Sequence, residues 1–170
     1  MRNTALTLLL SLLIFPVFTQ EIPAHKSGEK PALVVGVVVD QMRYDYLTRF
    51  WDKYEEDGFK KLIGEGFNFK NAHFNYIPTY TAPGHASVFT GTTPQNHGII
   101  GNNWYNKFEK KDVYNAGDDN VQSVGTSSNA GKMSPHRMLS TTVADENRMF
   151  TQMGGKTIGV GIKDRGAILP

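Results

Sequence analysis

The apolar positions of this chain fall into three kinds of run. Leu33-Val34-Val35-Gly36-Val37-Val38-Val39 carries no polar side chain. A β-branched run of that length predicts a strand covered on both faces inside a parallel sheet. Lys156 to Ile162 predicts a second buried strand. The next kind repeats every three or four residues. Tyr46, Leu47, Phe50, Trp51 and Tyr54 predict a helix after the first strand, interrupted by Gly58. Phe59 to Ile63 predicts a short helical piece stopped by Gly64 and Gly66. The last kind partly alternates, and predicts a strand over Phe67 to Phe74.

Prolines and glycines mark the remaining boundaries. Pro83 suits the first turn of a helix, because its missing N–H has no intrahelical partner there. The spacing predicts a helix from about Pro83 to Thr90, broken by Gly91-Thr92-Thr93-Pro94. Gln95 to Trp104 reads as loop, and Tyr105 to Lys132 as polar, irregular chain. Ser134-Pro135 has the form of a helix start, with Ser as N-cap. Leu139, Thr142, Val143, Glu146, Met149, Phe150 and Met153 trace that helix, and Gly154-Gly155 ends it.

The first residues change the compartment. Arg2 precedes a mostly apolar stretch from Ala5 to Phe18 that Pro16 breaks. Its 14 residues are short of the ~20 that span a bilayer. Residues 1–20 therefore read as an export signal, with an uncleaved membrane anchor as the alternative. Residues 21–30 read as a polar, flexible lead-in, and 31–170 as the folded body. A periplasmic or secreted location follows, with no stable membrane association once the signal is removed. Lys+Arg total 18 and Asp+Glu 16, a net charge of +2. That balance gives no reason to expect a nucleic-acid partner. The chain has no cysteine, which excludes disulfides, thiolate metal sites and cysteine nucleophiles.

Four places could carry chemistry. Asp40 closes the first apolar run, where open α/β sheets put their ligands, or it caps the next helix. Thr81 stands at a helix N-terminus, which favours negative charge on an oxygen; its other role there is an N-cap. Asn102 lies in a Gly-flanked stretch and could be a turn residue. In an extended Lys163-Asp164-Arg165, the two cations would face one ligand and Asp164 would point elsewhere. A charged surface turn is the alternative. Asp118-Asp119 reads as a solvated loop, since nothing near it in sequence completes an oxygen cage.

Taken in order, Val-Val-Asp40, Pro-Thr-Tyr-Thr81-Ala-Pro-Gly-His, Gly-Asn102-Asn-Trp-Tyr and Lys163-Asp-Arg165 resemble the alkaline phosphatase superfamily. The resemblance is to its Thr-nucleophile, phosphate-irrepressible branch of secreted bacterial enzymes, and covers residues 31–170. It implies an α/β fold, a doubly wound and mostly parallel sheet with flanking helices. It implies hydrolysis of phosphate monoesters with two zinc ions, through a phospho-threonine. Asp40 would be a zinc ligand, and Thr81 the nucleophile and a further metal contact. Asn102, Lys163 and Arg165 would hold the phosphoryl oxygens.

The family also places later zinc ligands in an Asp-x-x-x-His pattern, an Asp-His pair and a further His. Neither pattern occurs here, and His25, His73, His85, His97 and His136 match none of them. The expectation is that 31–170 is the N-terminal part of the domain and is inactive alone. Alternatives are a phosphodiesterase on the same scaffold, or a non-catalytic exported fragment. A sulfatase would need Cys or Ser at the nucleophile position, where this chain has Thr81.

Overall fold

The computed structural model describes residues 31–170. The export signal and the lead-in expected above lie outside the described residues. The chain divides after Val38. Of the first unit, residues 31–38 are described: an irregular, exposed stretch.

The second unit, from Val39 on, is organised around one helix. Helix α1 (Tyr46–Arg49) runs into a 3-10 turn at Trp51–Lys53, and α2 (Phe59–Glu65) follows. Helix α3 (Thr81–Thr90) is next, then the short α4 (Pro94–His97). Strands β1 (Asn103–Asn106) and β2 (Lys111–Tyr114) form an antiparallel hairpin, pairing Asn103 with Tyr114 and Trp104 with Val113. Helices α5 (Val143–Phe150) and α6 (Asp164–Ile168) complete the unit.

The core sits under α3. Ala82 and Ala86 are fully buried with Ile99 and Leu169, and Trp104 and Met138 pack against them. Two alanines a turn apart let α4 and α6 approach the α3 backbone closely. The helix ends where Gly91 takes φ 68 and donates to the Ser87 carbonyl at 3.0 Å. That left-handed conformation suits glycine. Gly98 ends α4 in the same way, at φ 81, and a Cβ there would lie 2.8 Å from Leu139 Cγ.

Several expected elements are absent or shifted. Val34, Val35 and Val37 are more than two-thirds exposed, and neither 33–39 nor 156–162 forms a strand. A parallel strand exists only through hydrogen bonds to neighbours. Among the described residues the one named sheet is the hairpin, so neither run has such a neighbour. Residues 67–74 are irregular too; Phe67 and Phe69 meet edge to face with ring centroids 4.7 Å apart and stay exposed. The expected helix from 134 begins only at Val143. There Thr142 and Asp145 form a reciprocal capping box, Thr142 Oγ1 accepting the Asp145 N–H at 3.2 Å and Asp145 Oδ2 the Thr142 N–H at 2.9 Å. Ser134 instead turns its hydroxyl to Asp118. The hairpin begins in the stretch read as loop and runs on into the one read as irregular. Its turn closes because Asn106 Oδ1 accepts the N–H groups of Phe108 and Glu109.

Candidate active site

Thr81 is the first residue of α3, and Tyr80 before it makes no side-chain cap. The Thr81 hydroxyl does not cap the helix either. It donates to Asp40 Oδ2 at 3.1 Å, across 41 residues of chain. Of the two roles left open for Thr81, the N-cap is therefore excluded. Asp40 reaches it because Gln41 takes φ 60, a sharp reversal that few non-glycine residues adopt. Asp40 is exposed and Thr81 half-buried.

The task of capping falls to Asn102. Its Oδ1 accepts the Ala82 N–H at 2.9 Å, one of the orphan donors of the first turn. Pro83 has no N–H to satisfy. His85 Nδ1 donates to the Thr81 carbonyl at 2.8 Å, which ties the first residue of α3 to its own next turn. With Oδ1 committed as acceptor, the Asn102 Nδ2 group remains as the donor of that amide.

Behind this turn runs a buried polar chain. The Ile99 N–H donates to His97 Nδ1 at 3.1 Å, so Nε2 carries the proton that faces Ser87 Oγ at 2.9 Å. Ser87 donates to the Tyr76 hydroxyl at 2.8 Å, and Tyr76 to the Pro83 carbonyl at 3.1 Å. Burial holds the His97 imidazole below its ordinary pKa. A second proton would have to sit on Nδ1, against the Ile99 N–H.

Arg165 is half-buried in α6, while Lys163 is exposed at its N-cap. Lys163 is extended and Arg165 helical, so alternation does not align them; among the described residues the Lys163 ammonium has no hydrogen-bond or ion-pair partner. Asp164 does not point away, as an extended segment would require. Its Oδ1 accepts from the Tyr114 hydroxyl at 2.7 Å, and Arg165 Nη1 donates to that same hydroxyl at 2.8 Å. Gly166 lies against His85, where a Cβ would stand 3.7 Å from Nε2. The structure thus brings Asp40, Thr81 and Asn102 together around the start of α3, and links the Arg165 turn to it through His85.

The Asp40 carboxylate and the Thr81 hydroxyl are two oxygen donors that could join a metal site. Among the described residues no group of three or more His, Cys, Asp or Glu gathers around any point, Asp118 included.

Residues 34–157 match the family model described as type I phosphodiesterase / nucleotide pyrophosphatase. The chain belongs to that family. It is 55% identical to alkaline phosphatase PhoV of Synechococcus elongatus and 51% identical to alkaline phosphatase PafA of Elizabethkingia meningoseptica. Each alignment covers 83% of this chain and 26% of the relative, so the chain spans about a quarter of their length. The crystal structure of wild-type PafA superposes with a TM-score of 0.82 over 84% of this chain and 28% of that one. The fold is therefore the alkaline phosphatase-like α/β fold, of which this chain forms the N-terminal part. A PafA variant with a Thr changed to Ser and an Asn, a Lys and an Arg changed to Ala superposes with a TM-score of 0.77 at 48% identity, over 78% of this chain and 26% of that one.

Tyr114 and His85 enter the site's geometry, as does Asn115, whose backbone N–H and Nδ2 both donate to the Asn102 carbonyl; none of the three was singled out as a candidate in the sequence. His85 belongs to the motif around Thr81, which is a signal; Tyr114 and Asn115 have none beyond their place after a polar turn.

Proposed function

We propose that the whole protein to which this chain belongs hydrolyses phosphate monoesters in a zinc-dependent reaction, with Thr81 as the nucleophile and a phospho-threonine as the covalent intermediate. The observation that carries this reading is the Thr81 hydroxyl, which leaves the capping of its own helix to Asn102 and faces Asp40 instead. The relatives named alkaline phosphatases support the reaction class. The substituted Thr, Asn, Lys and Arg of the PafA variant match Thr81, Asn102, Lys163 and Arg165 in type and order, which supports the choice of residues.

Thr81 Oγ1 attacks phosphorus, and the bond to the leaving oxygen breaks in line with it. Asp40 Oδ2 is the acceptor that the hydroxyl proton faces. The first turn of α3 favours the charge that develops on Oγ1. Asn102, through Nδ2, and Arg165 hold the non-bridging oxygens, while exposed Lys163 supplies a mobile charge. Zinc, when bound beside Asp40 and Thr81, supplies the positive charge that lowers the pKa of the hydroxyl. Water then hydrolyses the phospho-threonine. The amino-terminal apolar stretch supports export to the periplasm or beyond.

The family description itself favours a second reading, a phosphodiesterase. Acid-quenched labelling of the full-length protein with a phosphate monoester tests the first. Label on Thr81, lost in Thr81→Ala with zinc content intact, is the expected result. Label elsewhere, or near-normal turnover in the variant, sinks the assignment.

A further inference from the structure

The hairpin delivers two consecutive residues to the site from the end of β2. Asn115 is fully buried and places two donors on a single acceptor. Its backbone N–H and its Nδ2 both donate to the Asn102 carbonyl, at 3.1 and 2.8 Å. A carbonyl gripped twice cannot rotate, so the backbone of Asn102 is set by Asn115. The side chain of Asn102 is set in turn by the Ala82 N–H. Tyr114 faces the other way, as neighbours along a strand do. Its hydroxyl accepts from Arg165 Nη1 and donates to Asp164 Oδ1, which also accepts the Arg165 N–H at 2.8 Å. The guanidinium carbon lies 5.8 Å from the Tyr114 ring centroid, which limits where the planar group can turn.

We propose that Tyr114 and Asn115 are positioning residues for phosphoryl binding, Asn115 aiming the Asn102 amide and Tyr114 aiming the Arg165 guanidinium. The inference rests on the role given to Asn102 and Arg165 above. Neither residue has to touch substrate. One hairpin end fixes two donors that come from different segments, so their separation is set by β2 and not by two independent loops. Rigid support of this kind matters because catalytic donors must be held to within about half an ångström of their productive place. Burial and the Asp164 carboxylate push the Tyr114 hydroxyl above its ordinary pKa, so it keeps its proton and its donor role in alkaline solution.

The test uses the full-length, zinc-loaded protein, an aryl phosphate monoester as substrate and inorganic phosphate as competitive inhibitor. Tyr114→Phe is expected to lower kcat/KM about tenfold, the loss typical of a hydrogen bond to a charged group, and to weaken inhibition by phosphate in step. On an Arg165→Ala background the same change is expected to cost nothing more. Asn115→Ser is expected to behave likewise toward Asn102→Ala. Should that variant not fold, Asn115→Asp keeps the volume and turns the donor into an acceptor facing a carbonyl. Losses of equal size on both backgrounds, or no loss, overturn the positioning role while leaving the phosphoryl contacts standing. Full activity in Arg165→Ala and Asn102→Ala themselves overturns the phosphoryl contacts, and the positioning role with them.

Discussion

At the scale of single residues, hydrogen-bond direction decides roles that residue type leaves open. Thr81 and Asn102 are both good caps by composition. In the structure Asn102 caps α3 and Thr81 is thereby free to face Asp40. Arg165 shows the same dependence on partners: its Nη1 is occupied by Tyr114 and its Nε is buried, so Nη2 is the part of the fork left for a ligand. Two cations, Lys163 and Arg165, suit the two negative charges of a monoester better than the single charge of a diester. Arg165→Ala is accordingly expected to cost more on an aryl monoester than on the matching diester, by about tenfold or more for a lost charge-assisted bond. Steady-state kcat/KM for the two substrates checks this, and equal losses would remove the basis for a monoesterase.

At the scale of elements, α3 and α4 are joined by the chain from Ile99 through His97, Ser87 and Tyr76 to Pro83. Only neutral His97 fits that chain, and its pKa is lowered in the fold. The unfolded chain therefore binds this proton first as the solution is acidified. Stability from His97 is fully present above the ordinary histidine pKa of about 6.5 and is lost as pH falls below it toward the folded value. Thermal unfolding of the full-length protein should show Tm dropping between pH 7 and 5 by more than in His97→Asn. Parallel curves for the two proteins would show that the imidazole does not carry the effect. The elements themselves were legible to different degrees. Helices α2 and α3 were readable because Gly66 and Gly91 stop them and Pro83 suits a first turn. The start of α5 was misplaced because Ser134-Pro135 looks like a cap. The better signal was Thr142 with Asp145 three residues on, a capping box.

At the scale of the molecule, the apolar runs at 33–39 and 156–162 lie open, and Asp40 and Thr81 are the two residues assigned to metal contact. A structural zinc site takes four protein ligands and a catalytic one about three. Residues 31–170 alone, supplied with zinc, are therefore expected to give no turnover of an aryl phosphate above a Thr81→Ala control. Turnover that depends on both zinc and Thr81 would show that these residues complete a site by themselves.

What the sequence determined by itself was local or ordered along the chain: the helix around Thr81, the stops at Gly66 and Gly91, and the order of Asp40, Thr81, Asn102, Lys163 and Arg165. Backbone preference acts between near neighbours, so such features can be read residue by residue. Strands could not be read so surely. A β-branched run becomes a sheet strand only when another strand supplies its hydrogen bonds, and that partner is not a property of the run. The tertiary structure alone decided which oxygen the Thr81 hydroxyl meets, that Asn102 caps a helix 20 residues before it, and that Tyr114 holds Arg165 from 51 residues away. Hydrogen bonds act over about 3 Å in space, and no pattern along the chain records which distant groups folding brings within that reach.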